Sequence, residues 1–137
     1  MFRLPNPRDF LRQGHTRGRG RAGEDSAARW LASQGFEILA RNVVNKGGEI
    51  DFVATENGTL CFVEVKARST PTFGPALAAV PRTKQRRIAR AAAFYLTRHP
   101  PTGPCRFDVL AMDLVDEKWQ FQLVRDAFQV PSGSFGP

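Results

Sequence analysis

The sequence predicts an α/β fold, a mixed β-sheet flanked by helices, from three observations. Short runs rich in valine and phenylalanine alternate with period two between residues 36 and 67 and again between 106 and 125. Two other segments, 23–34 and 82–99, carry apolar residues at helical spacing. The passage from the third strand-like run to the fourth holds the second helix. It is long enough to be a crossover, which would give one parallel pair within an otherwise antiparallel sheet.

Residues 1–22 mix Pro5, Pro7, Gly14, Gly18 and Gly20 with arginines and have no sustained periodicity, which predicts a flexible basic arm. In 23–34, Ala27, Trp30 and Leu31 share a helical face, Glu24 lies in the first turn and Gly35 is a stop signal. Trp30 is expected to anchor this helix to the sheet. Phe36 to Asn42 reads as a strand with Phe36 and Ile38 on one face and Glu37 and Arg41 on the other. Lys46-Gly47-Gly48 is a turn, Glu49 to Thr55 the second strand, and Leu60 to Ala67 the third. Between these last two, Asn57-Gly58 favours a tight hairpin.

Three prolines and a glycine make 69–81 a loop. In the second helix Ile88, Ala91, Ala92, Tyr95 and Leu96 gather on one side, Arg86, Arg87, Arg90 and Arg98 on the other, and Lys84 and Gln85 project towards the sheet. Arg106 to Asp113 and Lys118 to Arg125 are the last two strands. The expected organisation is a basic arm (1–22), one domain (23–128) and a flexible tail (129–137). At 42% hydrophobic, 137 residues hold enough apolar side chains for one core.

No stretch approaches a membrane span, and no apolar run follows the N-terminal arginines as a secretory signal would require; an organelle transit peptide is the lesser reading of that start. Cys61 and Cys105, far apart and both in strands, fit neither a zinc knuckle nor a disulfide framework and read as reduced core thiols, so a cytoplasmic location is expected. The net charge of +7 is unevenly spread: residues 1–22 carry +5 and Arg82 to Arg98 carry +6, leaving −4 for the remainder. Basic flanks around an acidic centre suit phosphate outside and a metal ion inside. Solvated surface charge is the plainer account of the same runs.

The acidic centre has a pattern. Glu49, Asp51 and Val53 are expected on one face of the second strand, and Phe62, Glu64 and Lys66 on one face of the third. Carboxylates opposite one another on a hairpin pair lie about 5 Å apart. That is close enough to share one Mg²⁺, with Mn²⁺ the alternative, since such ions take oxygen ligands and keep several waters. A lysine beside the ion can stabilise negative charge growing on a phosphate. Glu-Val-Lys alone is a common solvated strand face; the specificity lies in Asp51, a short hairpin, Glu64 and Lys66, followed by a basic helix. Arg68, Arg86, Arg87 and Arg90 are candidate phosphate contacts. Asp108 reads as a structural ion pair, and neither His15 nor His99 as a ligand.

Several strings carry a resemblance: Gly23-Glu24-Asp25-x-Ala27, Gly35-Phe36-x-Ile38, Arg41-Asn42, Gly48-Glu49-Ile50-Asp51, Phe62-Val63-Glu64-Val65-Lys66-x-Arg68, Phe73-Gly74, Lys84-Gln85-Arg86-Arg87 and Arg106-Phe107-Asp108-Val109. In register over residues 22–113, they resemble the bacterial YraN family, which is similar to the PD-(D/E)xK nuclease superfamily and particularly to Holliday-junction resolvases. The resemblance implies a restriction-endonuclease-like core with Asp51, Glu64 and Lys66 as catalytic residues and Asp51 and Glu64 as metal ligands. It also implies Glu24 as an additional acid and Gln85 as a supporting helix residue. Ile50 stands where the superfamily motif has its proline.

The function these readings favour is an Mg²⁺-dependent endonuclease acting on DNA, including branched DNA, with a homodimer if two cuts are needed. A non-catalytic DNA-binding protein retaining the nuclease fold is the alternative, and a protein-interaction scaffold a third. Retention of all three of Asp51, Glu64 and Lys66 favours the enzyme.

Overall fold

The computed structural model describes residues 21–68 and 80–130. Residues 1–20, 69–79 and 131–137 lie outside the described residues, and with them most of the expected arm, loop and tail. The elements run α1 (Arg21–Ser33), β1 (Glu37–Asn45), β2 (Gly48–Glu56), β3 (Thr59–Arg68), α2 (Arg82–Arg98), β4 (Cys105–Val115) and β5 (Lys118–Phe128). The five strands form one sheet in the order β1-β2-β3-β4-β5. Only β3 and β4 are parallel; the other neighbours are antiparallel. This is the α/β nuclease-like arrangement expected, with the crossover through α2 supplying the parallel pair.

Two-residue turns close the hairpins. Asn57 (φ 49°) and Gly58 (φ 82°) turn β2 into β3, and Asp116 (φ 51°) and Glu117 (φ 65°) turn β4 into β5, both with the left-handed backbone that a tight hairpin requires. Between β1 and β2, Asn45 Oδ1 accepts the Gly47 N–H while Asn45 Nδ2 donates to the Ala91 carbonyl of α2. This hairpin lies directly on the helix. A side chain at Gly47 would overlap the backbone of Arg90 and Ala91, so glycine is what permits the approach.

The helices cover opposite faces. Ala27, Ala28 and Leu31 of α1 pack on Phe52, Ala54, Cys61, Val63, Val65, Leu110 and Met112, and Trp30 stacks on Phe121 of β5 with ring centroids 5.2 Å apart. Ile88, Ala89, Ala91 and Ala92 of α2 pack on Ile50, Val53, Phe62, Phe107, Val109 and Phe128. Each central strand therefore buries both faces, as a two-sided sheet must. The Cys61 thiol is pushed up to about 12 by burial, in keeping with an inert core cysteine.

Two interruptions of the pleat correct the sequence reading. The β1–β2 register shifts between Ile38 and Ala40. Beyond that bulge Arg41 reaches Asp25 and Glu24 on α1, so it lies on the same side as Ile38 rather than opposite it. Likewise Ile50 joins Val53 against α2 although three positions separate them. Glu49, Asp51 and Val53 therefore do not form one continuous face. Asn42, between the pairs Arg41↔Phe52 and Val43↔Ile50, has φ 49° and marks the twist in the strand pair opposite Asp51.

Candidate metal and phosphate site

The site begins where β2 and β3 part. Their paired register runs from Glu56↔Thr59 to Phe52↔Val63. One step further would set Asp51 opposite Glu64. Instead, Asp51 Oδ2 accepts the Val65 N–H at 2.8 Å, so a side-chain oxygen takes over where the backbone ladder ends. The carboxylate is thereby fixed between the strands and is 2% exposed.

Asp108 makes an instructive comparison. The β4–β5 register shifts between Phe107 and Val109, and there Asp108 Oδ1 accepts the Asp126 N–H at 2.9 Å. Asp108 is fully buried, and both its oxygens accept from Arg106 Nε at 2.9 and 3.1 Å. Arg106 also binds Glu56, which Arg125 grips with two hydrogen bonds. That network closes on itself and is structural, as expected of Asp108. Asp51 fills the same kind of gap, but its bond to the Val65 N–H sets it against the residue that follows a second buried carboxylate, Glu64.

Glu64, on the α2 side of β3, is likewise 2% exposed. Lys84 Nζ of α2 forms an ion pair with its Oε2, and its Oε1 accepts no hydrogen bond among the described residues. Lys66 follows on the same face, half-buried. Its ammonium is held below the ordinary lysine value, first by desolvation and then by the positive charges of Lys84 and Arg68, while Glu64 pulls the other way. Glu64, Lys66 and Arg68 thus lie along the C-terminal end of β3, with Asp51 held there by the Val65 N–H and Lys84 by its ion pair with Glu64. Lys84 is the member that the motif reading missed. Its helical angle, turned towards the sheet, was the available signal.

The other expected residues take more local roles. Arg68 forms a bidentate pair with Asp113, its neighbour in the β3–β4 register, through Nε (2.7 Å) and a terminal nitrogen (3.0 Å). Glu24 accepts from Asn42 Nδ2 and lies 3.7 Å from Arg41, which places it behind the twist opposite Asp51. Gln85 Nε2 donates to the Val80 carbonyl at 2.7 Å and so braces the chain entering α2. Arg86, Arg87 and Arg90 are all exposed, and the Arg87 backbone adjoins Gly48 at the hairpin before Asp51.

Among the described residues no group of three or more His, Cys, Asp and Glu side chains assembles as a metal cluster. The available donors are two buried carboxylates, a hard oxygen set of the kind that Mg²⁺ and Mn²⁺ take.

The five-stranded mixed sheet with its two flanking helices is an α/β nuclease-like fold. The chain belongs to the uncharacterised protein family UPF0102, the YraN family, whose profile matches residues 23–112. It is 45% identical over 116 residues to a UPF0102 protein of Halorhodospira halophila, covering 85% of this chain and 91% of that one. Another relative, from Symbiobacterium thermophilum, is 45% identical over 113 residues, 80% and 94% of the two chains. One from Ralstonia pickettii is 47% identical over 116 residues, 81% and 90%. No helix among the described residues is long and apolar enough to cross a membrane.

Proposed function

We propose that this protein is a metal-dependent endonuclease that hydrolyses phosphodiester bonds in DNA, with Mg²⁺ or Mn²⁺ held by Asp51 and Glu64. The observation that carries the reading is a pair of buried carboxylates and Lys66 near the C-terminal end of β3, on a protein whose second helix exposes Arg86, Arg87 and Arg90. The buried Glu64 Oε1, which accepts no hydrogen bond among the described residues, fits a donor awaiting a cation. When bound, the ion would polarise a phosphoryl oxygen and acidify a coordinated water. Asp51, fixed by the Val65 N–H, holds its carboxylate without needing to reorganise. Lys66 offers its positive charge to the phosphate as negative charge builds up on it. Arg86, Arg87 and Arg90 attract the phosphate backbone without reading bases. Resolving a branched junction would take two such sites, and hence a homodimer.

The Lys84–Glu64 ion pair favours a second reading, a non-catalytic DNA-binding protein whose acidic centre is neutralised internally. Cleavage of linear, single-stranded, flapped and four-way DNAs with Mg²⁺, Mn²⁺ or no metal separates the two. The enzyme reading expects metal-dependent cutting of at least one substrate. It also expects Lys66→Ala to abolish single-turnover cutting while leaving affinity nearly unchanged. Binding without cutting on every substrate supports the second reading.

A further inference from the structure

We propose that Lys84 is a built-in counter-cation that competes with a divalent ion for Glu64, so that metal binding requires its displacement. The inference rests on the metal reading of Asp51 and Glu64 and adds a regulator to that site. A carboxylate removed from water needs a compensating charge. Glu64 is 2% exposed, and Lys84 forms an ion pair with it. The two partners differ in freedom. Glu64 is fixed on a central strand, whereas the Lys84 side chain is 36% exposed on a flexible four-carbon stem and can swing into solvent.

The position of Lys84 on its helix is locally unfavourable. It stands near the N-terminus of α2, whose first turn holds no acidic residue, and there the helix dipole repels cations. Lys66, on the same sheet face, adds a second repulsion, since Lys84 helps to depress its ammonium. The attraction of Glu64 opposes both, and an ion that neutralises Glu64 removes the reason for Lys84 to stay. If the pair is formed about nine-tenths of the time, metal affinity is reduced about tenfold relative to a protein without it.

Mn²⁺ titrated calorimetrically into the wild-type full chain, Lys84→Met and Lys84→Gln tests this directly. The expected result is that both variants bind one ion about tenfold more tightly than wild type. Binding by a variant where wild type shows none supports the proposal equally. Unchanged or weaker affinity in the variants overturns the Lys84 role while leaving Asp51 and Glu64 as ligands. No binding by any of the three proteins overturns the metal reading and this inference with it.

A measurement on the wild type guards against variants that fail to fold. In ¹⁵N-lysine spectra, with Lys84→Arg used for assignment, the Lys84 ammonium signal should be protected from solvent exchange without metal and lose that protection as Mg²⁺ saturates. A signal that stays protected at saturating Mg²⁺ overturns the proposal.

Discussion

Asp51 has two separable duties, which one pair of substitutions distinguishes. Its Oδ2 accepts the Val65 N–H at 2.8 Å where the β2–β3 ladder has ended, and the side chain is 2% exposed. Asp51→Asn keeps a carbonyl oxygen for that N–H. The weaker neutral hydrogen bond is offset by removing a buried charge beside Glu64, so this variant should stay within about 1 kcal/mol of wild type. Asp51→Ala leaves the N–H buried without an acceptor, at about 1–3 kcal/mol. In a chain of 137 residues, each kcal/mol moves the melting temperature by roughly 3–4 °C. Asp51→Ala should therefore melt roughly 3–12 °C below Asp51→Asn in metal-free thermal scans. Melting points within about 1 °C of each other would refute the reasoning, because the strand opening would then not depend on this acceptor.

Three further outcomes follow from the charged networks. Arg106→Met should destabilise by about 3–5 kcal/mol in denaturant melts, since it strands the fully buried Asp108; adding Asp108→Asn should recover part of that loss. Glu56 is lowered from 4.5 to about 2, chiefly by its hydrogen bond from Arg125 and further by Arg106, against desolvation. A depressed carboxylate stabilises the fold above its unfolded value and loses that contribution as pH falls. The stability gap between wild type and Arg125→Ala should thus be level above pH 4.5 and close towards pH 2, as acid melts will report. Replacing Arg86, Arg87 and Arg90 together should weaken binding to all DNAs alike. The slope of log affinity against log salt on duplex DNA should shrink by about 0.9 for each phosphate no longer neutralised, and an unchanged slope would mark these arginines as solvated surface.

What the sequence made legible was local or periodic. Asn57-Gly58 announced its hairpin, the length of the segment between β3 and β4 announced the crossover, and the helical angle of Lys84 turned it towards the sheet. Glu64 and Lys66 kept the faces that alternation assigns them, because β3 is paired without interruption to β4. Alternation failed where pairing partners interrupt the pleat. The bulge at Leu39 carried Arg41 to the α1 side, and the twist opposite Asn42 moved Asp51 from a strand face into the gap between strands. Such interruptions depend on contacts distant in the chain, so residue periodicity does not encode them. The partner of Arg68 was hidden for the same reason: Asp113 is 45 residues away and meets it only through the parallel register.

The central claim is that Asp51 and Glu64 together hold one divalent ion, and calorimetric titration of Mg²⁺ and Mn²⁺ into wild type, Asp51→Asn and Glu64→Gln tests it most directly. The account predicts one ion per wild-type chain and loss of binding in each variant, with melting curves showing that both remain folded. Equal binding by all three proteins, or no binding by the wild type and by Lys84→Met alike, would contradict it.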